Sequence, residues 1–307
     1  MKDITTKPTT LRSATASGRV HVTAAGVELI RSGGVDKGDV VEAARIAGLM
    51  AVKQTPFLLP HCHPIPVLDT TVDVELADDH LVIEATVRTI AATGVEMEAL
   101  AAVSNAALCV YDMLKPHVGL DLSVEEVRLV VKRGGKSQFG RAVEAGTAAV
   151  VVLSDTVAAG SKPDTAGRSV VEGLEGAGFT IAAYDVLPDE PEDLEARLRA
   201  LLADRPDLIV TVGGTGLGPR DKTVETVQPM LTTELPGLME AARSFGQART
   251  PYAMLSRGIA GLVGPTLVAT FPGSRRGAEE TLAAVLPGLV HLIEVLRVTH
   301  PHEGGYE

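Results

Sequence analysis

The chain has no tryptophan, and aromatic residues make up only 3% of its 307 residues. Stacking platforms for single-stranded nucleic acid need aromatic faces, so that class of binding is disfavoured. Cysteine is equally sparse. Cys62 and Cys109 stand alone with no Cys-x-x-Cys, which gives neither a disulfide framework nor a zinc knuckle. Positive charge is in deficit, 28 Lys and Arg against 39 Asp and Glu for a net −11. That balance argues against a nucleic acid or an anionic membrane surface as partner. The opening Met1-Lys2-Asp3-Ile4 carries no apolar signal region, and no apolar run approaches the roughly 20 residues of a membrane span. A cytoplasmic location is expected. What is present, 45% hydrophobic and 22% charged residues, is ordinary for a globular protein. The length allows two domains, each with its own core.

The second half is organised around Thr211-Val212-Gly213-Gly214-Thr215-Gly216-Leu217-Gly218-Pro219-Arg220-Asp221-Lys222-Thr223. The β-branched run before it predicts a buried strand over 207–212, and a strand that empties into glycines lets backbone N–H groups approach an anion. Gly213 and Gly218 have P-loop spacing, but Pro219-Arg220 replace the required Lys-Ser or Lys-Thr. The dinucleotide pattern fails as well, because its third glycine comes one position early. Arg220 and Lys222 could hold phosphate and Asp221 a magnesium ion; solvated charges after a tight connection are the alternative.

The rhythm of the chain changes midway. Residues 1–143 predict β-α-α-β-β-α-β, an α+β domain with helices against an antiparallel sheet. Its elements are a short strand at Val20-His21-Val22, helices at 24–32 and 40–52, strands at 69–76 and 81–90, a helix from about Thr93 to Leu114, and a strand at 124–131. Residues 1–11 are polar, and 53–64 carry too many prolines for a regular element. Glu144-Ala145-Gly146-Thr147 is the expected linker. Over 148–307, strands alternate with helices, which means an α/β domain built on a mainly parallel sheet with helices on both faces.

In the first half, Lys37, Lys53, Lys115, Lys132, Arg133 and Lys136 sit at element ends or in glycine-flanked turns. Their convergence would make a triphosphate-sized pocket; the alternative is a set of surface lysines. Gly134-Gly135 between Lys132 and Lys136 favours a pocket there. His61-x-His63 lacks an evident third metal ligand, so a hydrogen-bonding or proton-transfer role for His63 competes with simple burial between prolines. Asp112 and Lys115 share a helix face, either as an ion pair or as acid–base machinery.

Five motifs then become specific: Lys37-Gly38-Asp39-Val40, Leu59-Pro60-His61-Cys62-His63-Pro64, Thr93-Gly94-Val95-Glu96-Met97-Glu98-Ala99-Leu100, Tyr111-Asp112-Met113-Leu114-Lys115 and Gly134-Gly135-Lys136-Ser137. In this order they resemble cyclic pyranopterin monophosphate synthase, the MoaC family of molybdenum cofactor biosynthesis, over roughly residues 11–141. The resemblance implies conversion of 3′,8-cyclo-7,8-dihydroguanosine triphosphate into cyclic pyranopterin monophosphate and diphosphate. It implies Asp112 and Lys115 as the acid–base pair, and Lys37, Lys132, Lys136 and Arg12 as triphosphate ligands. His61, Cys62, His63, Met97 and Glu98 would line the substrate site, with Lys37 and His63 among the catalytic groups. It further implies sites shared between subunits of a homo-oligomer, typically a hexamer of three dimers, with no tightly bound cofactor. His61 stands where the family usually has an apolar residue, and the segment before Arg12 lacks the usual Met-Val-Asp-Val.

In the second half, Asp189 and Asp221 each follow a predicted strand and would lie at the C-terminal edge of the sheet, where open α/β sheets bind ligands. Taken alone, Asp189 reads first as a cap for the next helix. Ser154-Asp155 ends another strand at that edge, and Pro272-Gly273-Ser274 opens a helix whose N-terminus favours anions. Taken with Ser256-Arg257-Gly258, these stretches look like the molybdopterin-binding fold of the MogA/MoaB family over about residues 148–298. That resemblance implies transfer of AMP from MgATP to molybdopterin. Asp189 and Asp221 would serve magnesium and transfer; Gly213, Gly214, Thr215, Gly216 and Ser274 would hold pterin or phosphate, and Ser154, Asp155, Ser256, Pro272 and Gly273 would complete the site. A pterin-binding or oligomerising module without catalysis is the alternative. The expected partners are small-molecule pterins and nucleotides.

Overall fold

A computed structural model of the chain describes residues 1–135 and 146–297. The chain divides into two compact units, Met1–Gln138 and Phe139–Glu307.

The first unit runs β1 (Thr10–His21), α1 (Thr23–Arg31), α2 (Val40–Leu58), β2 (Asp69–Leu76), β3 (His80–Ala91), α3 (Glu96–Val118) and β4 (Ser123–Arg133). Its sheet has the order β2-β3-β1-β4 and is antiparallel throughout. Alternation along β3 turns Leu81, Ile83, Ala85 and Val87 inward, where they meet Ala99, Ala102, Val103, Ala106 and Val110 of α3. Burying a side chain of the size of Leu81 or Ile83 contributes roughly 1.5–3 kcal/mol.

Two expectations for this unit need correction. β1 is a strand of 12 residues, not a short one. Its inward positions are Ala14, Ala16, Gly18 and Val20, small because α3 lies close: a Cβ on Gly18 would come within 2.7 Å of Val103. α2 and α3 continue through Pro56 and Pro116. Each proline forfeits one backbone hydrogen bond in a closing turn, and around Pro56 the Thr55 hydroxyl donates to the Ala51 carbonyl at 2.8 Å. α3 passes the length and composition test of a membrane span, but half of that window is buried inside the unit, as befits a core helix.

The second unit runs β5 (Gly146–Leu153), α4 (Asp155–Ala158), α5 (Ala166–Glu175), β6 (Phe179–Leu187), α6 (Pro191–Ala203), β7 (Leu208–Val212), α7 (Thr223–Val227), β8 (Thr233–Glu234), α8 (Pro236–Gln247), β9 (Ala260–Val263), β10 (Thr266–Phe271) and α9 (Arg275–Arg297). Gly146 and Thr147 belong to β5 instead of a linker; Glu144 and Ala145 lie outside the described residues. The sheet order is β6-β5-β7-β10-β9-β8, parallel across its first four strands and antiparallel at β9 and β8. The central strands are covered on both faces. Ala149, Val151, Ile209 and Val268 pack against Leu194, Leu198 and Leu201 of α6; Val150, Val210, Leu267 and Phe271 pack in the opposite layer with α5, α8 and α9. Parallel register aligns Leu153 with Leu187, Val152 with Val212, and Val212 with Phe271. The four connections that follow these strands therefore leave from one edge of the sheet.

Candidate functional site

In the first unit a charged group forms where α2 begins and α3 ends. Gly38, at φ +104°, turns the chain so that Asp39 caps α2, its side chain accepting from the Glu42 amide. Lys37, just before this turn, reaches the last turns of α3. Its ammonium donates to the Asp112 carbonyl at 2.8 Å and to Oδ2 at 2.7 Å, while Lys115 donates to Oδ1 at 2.7 Å. The bond from Lys115, then that from Lys37, holds the Asp112 carboxyl down at about 2, and Asp112 in turn raises Lys115. All three side chains are exposed.

A second group lies at the opposite end of α3. Lys132 pairs with Glu96 at 3.2 Å. Arg12 is 8% exposed, donates from Nε to the Ala91 carbonyl at 3.2 Å, and is lowered by burial. Gly134 and Gly135, both at positive φ, pack so tightly on Arg12 that a Cβ on either would strike it. Nearby Cys62 donates to Glu98 Oε1 at 3.3 Å, and Glu98, only 2% exposed, keeps Oε2 buried without a partner. Burial raises Glu98, and burial together with Glu98 pushes the Cys62 thiol up to about 11. Glu98 opens on a cavity of about 410 Å³ that Lys53, Pro56, Ile65 and Val67 also line.

The structure thus brings Lys37, Asp112 and Lys115 together, and Arg12 with Lys132 through Glu96, but separates the two groups within a chain. The stretch of α3 from Glu96 to Asp112 rises about 24 Å. Met97 and His61 are exposed and His63 is half-buried. Among the described residues no three His, Cys, Asp or Glu cluster as a metal site. Lys136 lies outside the described residues.

In the second unit the aligned strand ends border an open cavity of about 510 Å³. Gly213, Gly214, Thr215 and Gly216 line it, along with Ser154, Asp189, Asp221, Ser256, Pro272 and Gly273. Gly213 and Gly214 stand at φ +115° and +64°, and side chains there would strike the Leu153 carbonyl and Thr223. Ser274 accepts from the Gly277 amide at the start of α9 and lines an adjoining cavity of about 280 Å³ that shares Tyr252, Ser256 and Pro272. Arg257 braces the glycine turn, donating to the carbonyls of Gly216 and Asp221 at 2.8 Å each.

Asp189 does not cap α6; Glu190 occupies that position. Instead Asp189 and Asp155 are tied reciprocally: the Asp155 amide donates to Asp189 Oδ2 and the Asp189 amide to Asp155 Oδ1, both at 3.0 Å. Partial burial raises Asp189, whereas the Asp189 amide and then Arg220 lower Asp155. Asp221 Oδ2 accepts from the Gly218 amide at 2.7 Å. The two cations expected to grip phosphate do not line this cavity. Arg220 is engaged by Asp155 and Glu190, and Lys222 borders a separate groove with Glu192 and Glu225. Asp155 likewise turns its carboxylate to Arg220. The cation that does line the cavity is Lys162, which sequence reasoning missed; the signal was Gly160-Ser161-Lys162-Pro163-Asp164, a turn-rich stretch after a strand of the same edge.

With this geometry in view, the comparisons with known proteins divide the chain in the same way. The profile of the MoaC family matches residues 1–135, and that described as "Probable molybdopterin binding domain" matches residues 149–291. The chain is 42% identical over 297 residues to a molybdenum cofactor biosynthesis bifunctional protein of Chlorobaculum tepidum, covering 97% of this chain and 94% of that one. It is 36% identical over 313 residues to the protein of that description from Synechococcus elongatus, covering 97% of each. Its first part is 51% identical over 140 residues to a cyclic pyranopterin monophosphate synthase of a Nocardioides species, covering 45% of this chain and 85% of that one.

Proposed function

The chain belongs to the family of bifunctional molybdenum cofactor biosynthesis proteins, and we propose that its first unit is a cyclic pyranopterin monophosphate synthase and its second a molybdopterin adenylyltransferase. The reading of the first unit is carried by the Asp112 carboxylate gripped between Lys37 and Lys115. With its pKa near 2, Asp112 is ionised at neutral pH, and Lys115, pushed upward, is protonated. The pair thus rests in the protonation states that a base and an acid require. Each shift weakens its group as a proton carrier, so the bridge must open for the proton transfers that accompany rearrangement of the cyclised nucleotide. Arg12 and Lys132 offer charge for the triphosphate and the departing diphosphate.

Because those cations lie at the far end of α3, a single chain does not present a complete site. We assign the missing half to a second copy. β4 is an edge strand whose Val124, Val127, Leu129, Val130 and Val131 are all exposed, a template for association. A homo-oligomer joined there would let one copy's Arg12 and Lys132 serve the other's Asp112. Glu98, which lines a cavity and keeps one oxygen buried without a partner, suits recognition of the N–H edge of the pterin.

For the second unit the supporting observation is a glycine turn, Asp189 and Asp221 on one cavity. Two carboxylates with no third protein ligand fit magnesium, which keeps water and takes oxygens from nucleotide phosphates. Bound by Asp189 and Asp221, it would neutralise charge on the phosphates during attack on the α-phosphorus. Lys162 and the turn amides would orient the anionic groups. The test supplies purified chain with molybdopterin and MgATP. Transfer of AMP, lost in Asp189→Asn, is expected; binding of molybdopterin without any transfer would make the second unit a binding module.

A further inference from the structure

Arg220 follows the glycine turn directly, yet it takes no part in lining the cavity. Asp189 borders two spaces, the large cavity on one side and a small crevice on the other, and Arg220 lies only on the crevice. There its Nε and Nη2 meet both oxygens of Asp155 at 2.8 Å, and Nη2 also reaches Glu190 at 2.9 Å. Asp155 follows β5, Glu190 follows β6, and Arg220 follows β7, three adjacent strands of the sheet. Asp155 is the link onward, since its amide and carboxylate are the reciprocal partners of Asp189.

We propose that Arg220 is a positioning residue: its fork pins the connections after β5, β6 and β7 to one another from behind the cavity and so fixes the direction in which Asp189 presents its carboxylate. The planar guanidinium can span both Asp155 oxygens and Glu190 at once, which a lysine ammonium cannot do with the same geometry. The consequence for ligand binding rests on the reading of Asp189 as a magnesium-nucleotide group; the consequence for the loops does not.

The experiment uses the full chain with Arg220→Ala and Arg220→Lys, and two readouts. In amide hydrogen exchange without ligand, the Asp155 and Asp189 amides should exchange about tenfold or more faster in Arg220→Ala, while those of Val151 and Val210 in β5 and β7 hold their rates. Affinity for manganese(II) with an ATP analogue carrying an α,β-methylene bridge should fall about 10- to 100-fold, as removal of an outer supporting partner does, and Arg220→Lys should recover only part of it. Unchanged exchange at Asp155 and Asp189 would overturn the proposal, as would faster exchange throughout the unit or full recovery by lysine, since charge alone would then suffice. Asp189→Asn runs alongside. If it leaves the manganese-nucleotide affinity untouched, the adenylyltransferase reading fails, and the exchange data still judge Arg220.

Discussion

Asp112 and Asp189 are the same residue in opposite surroundings. Asp112 lies in solvent, more than half exposed, and owes its low pKa to two lysines. Asp189 is half-buried, is met by a backbone amide, and is raised. The first unit thus gathers long flexible cations around an open acid, and on the proposal above its two groups would meet across two copies. The second gathers strand ends of one chain around an open cavity. Chemistry of the first kind would depend on assembly, whereas the arrangement of the second rests on the sheet of one chain.

The strongest way to break this contrast is to remove one acid at a time. Asp112→Asn should lower turnover of the cyclised nucleotide by about 10²- to 10⁴-fold, the span typical for loss of an acid–base group. It should leave molybdopterin binding by the second unit unchanged, and a parallel loss in both assays would refute independent sites. The next test mixes two inactive variants. Lys132→Ala with Lys37→Ala should regain synthase activity on co-assembly, because some interfaces then pair an intact half from each chain. Mixtures no better than either variant alone would place the complete site within one chain.

Acidity should separate the units further. Asp112, with its pKa depressed, contributes stability that is full above its ordinary value of 3.8 and lost as pH falls towards about 2. Asp189, with its pKa raised, loses its charge at milder acidity. Lowering pH from neutrality should therefore weaken manganese-nucleotide binding by the second unit before Asp112 is protonated, as paired calorimetric and circular dichroism titrations can follow. The smallest effect concerns Cys62. With its thiol pushed to about 11, alkylation by iodoacetamide should be slow at pH 8 and accelerate only well above that. Glu98→Gln should speed it by removing a neighbouring charge; no change would place the whole shift on burial.

The change of rhythm between the halves was legible because strand and helix periods depend on side chains alone. β1 was truncated in the reading because its inward positions are alanine and glycine, chosen for closeness to α3 and weak in β propensity. Pro56 reads as part of a break because sequence does not show which amides a closing helix can forgo. β8 and β9, two and four residues long, carry too little pattern to register. In the second unit, residues at strand ends could be placed on one edge, and Asp189, Asp221 and the glycine turn do share a cavity. The directions of Arg220 and Lys222 could not be read, since neighbours in a turn can face opposite ways, and partners distant in sequence decide which way they point. The same blindness hid Lys162.

One feature of the first unit restricts how such a chain can change. Its two charged groups meet opposite ends of a single continuous helix, through Glu96 at one and Asp112 at the other, and the inner face of that helix is locked into the core. Adding or deleting one residue midway along α3 would rotate everything beyond it by about 100° and shift it by about 1.5 Å. Asp112 would swing out of reach of Lys37, and the core face would turn towards water. Substitutions can accumulate on the outer face of that helix, but its length is fixed, and growth or shortening must occur in the connections.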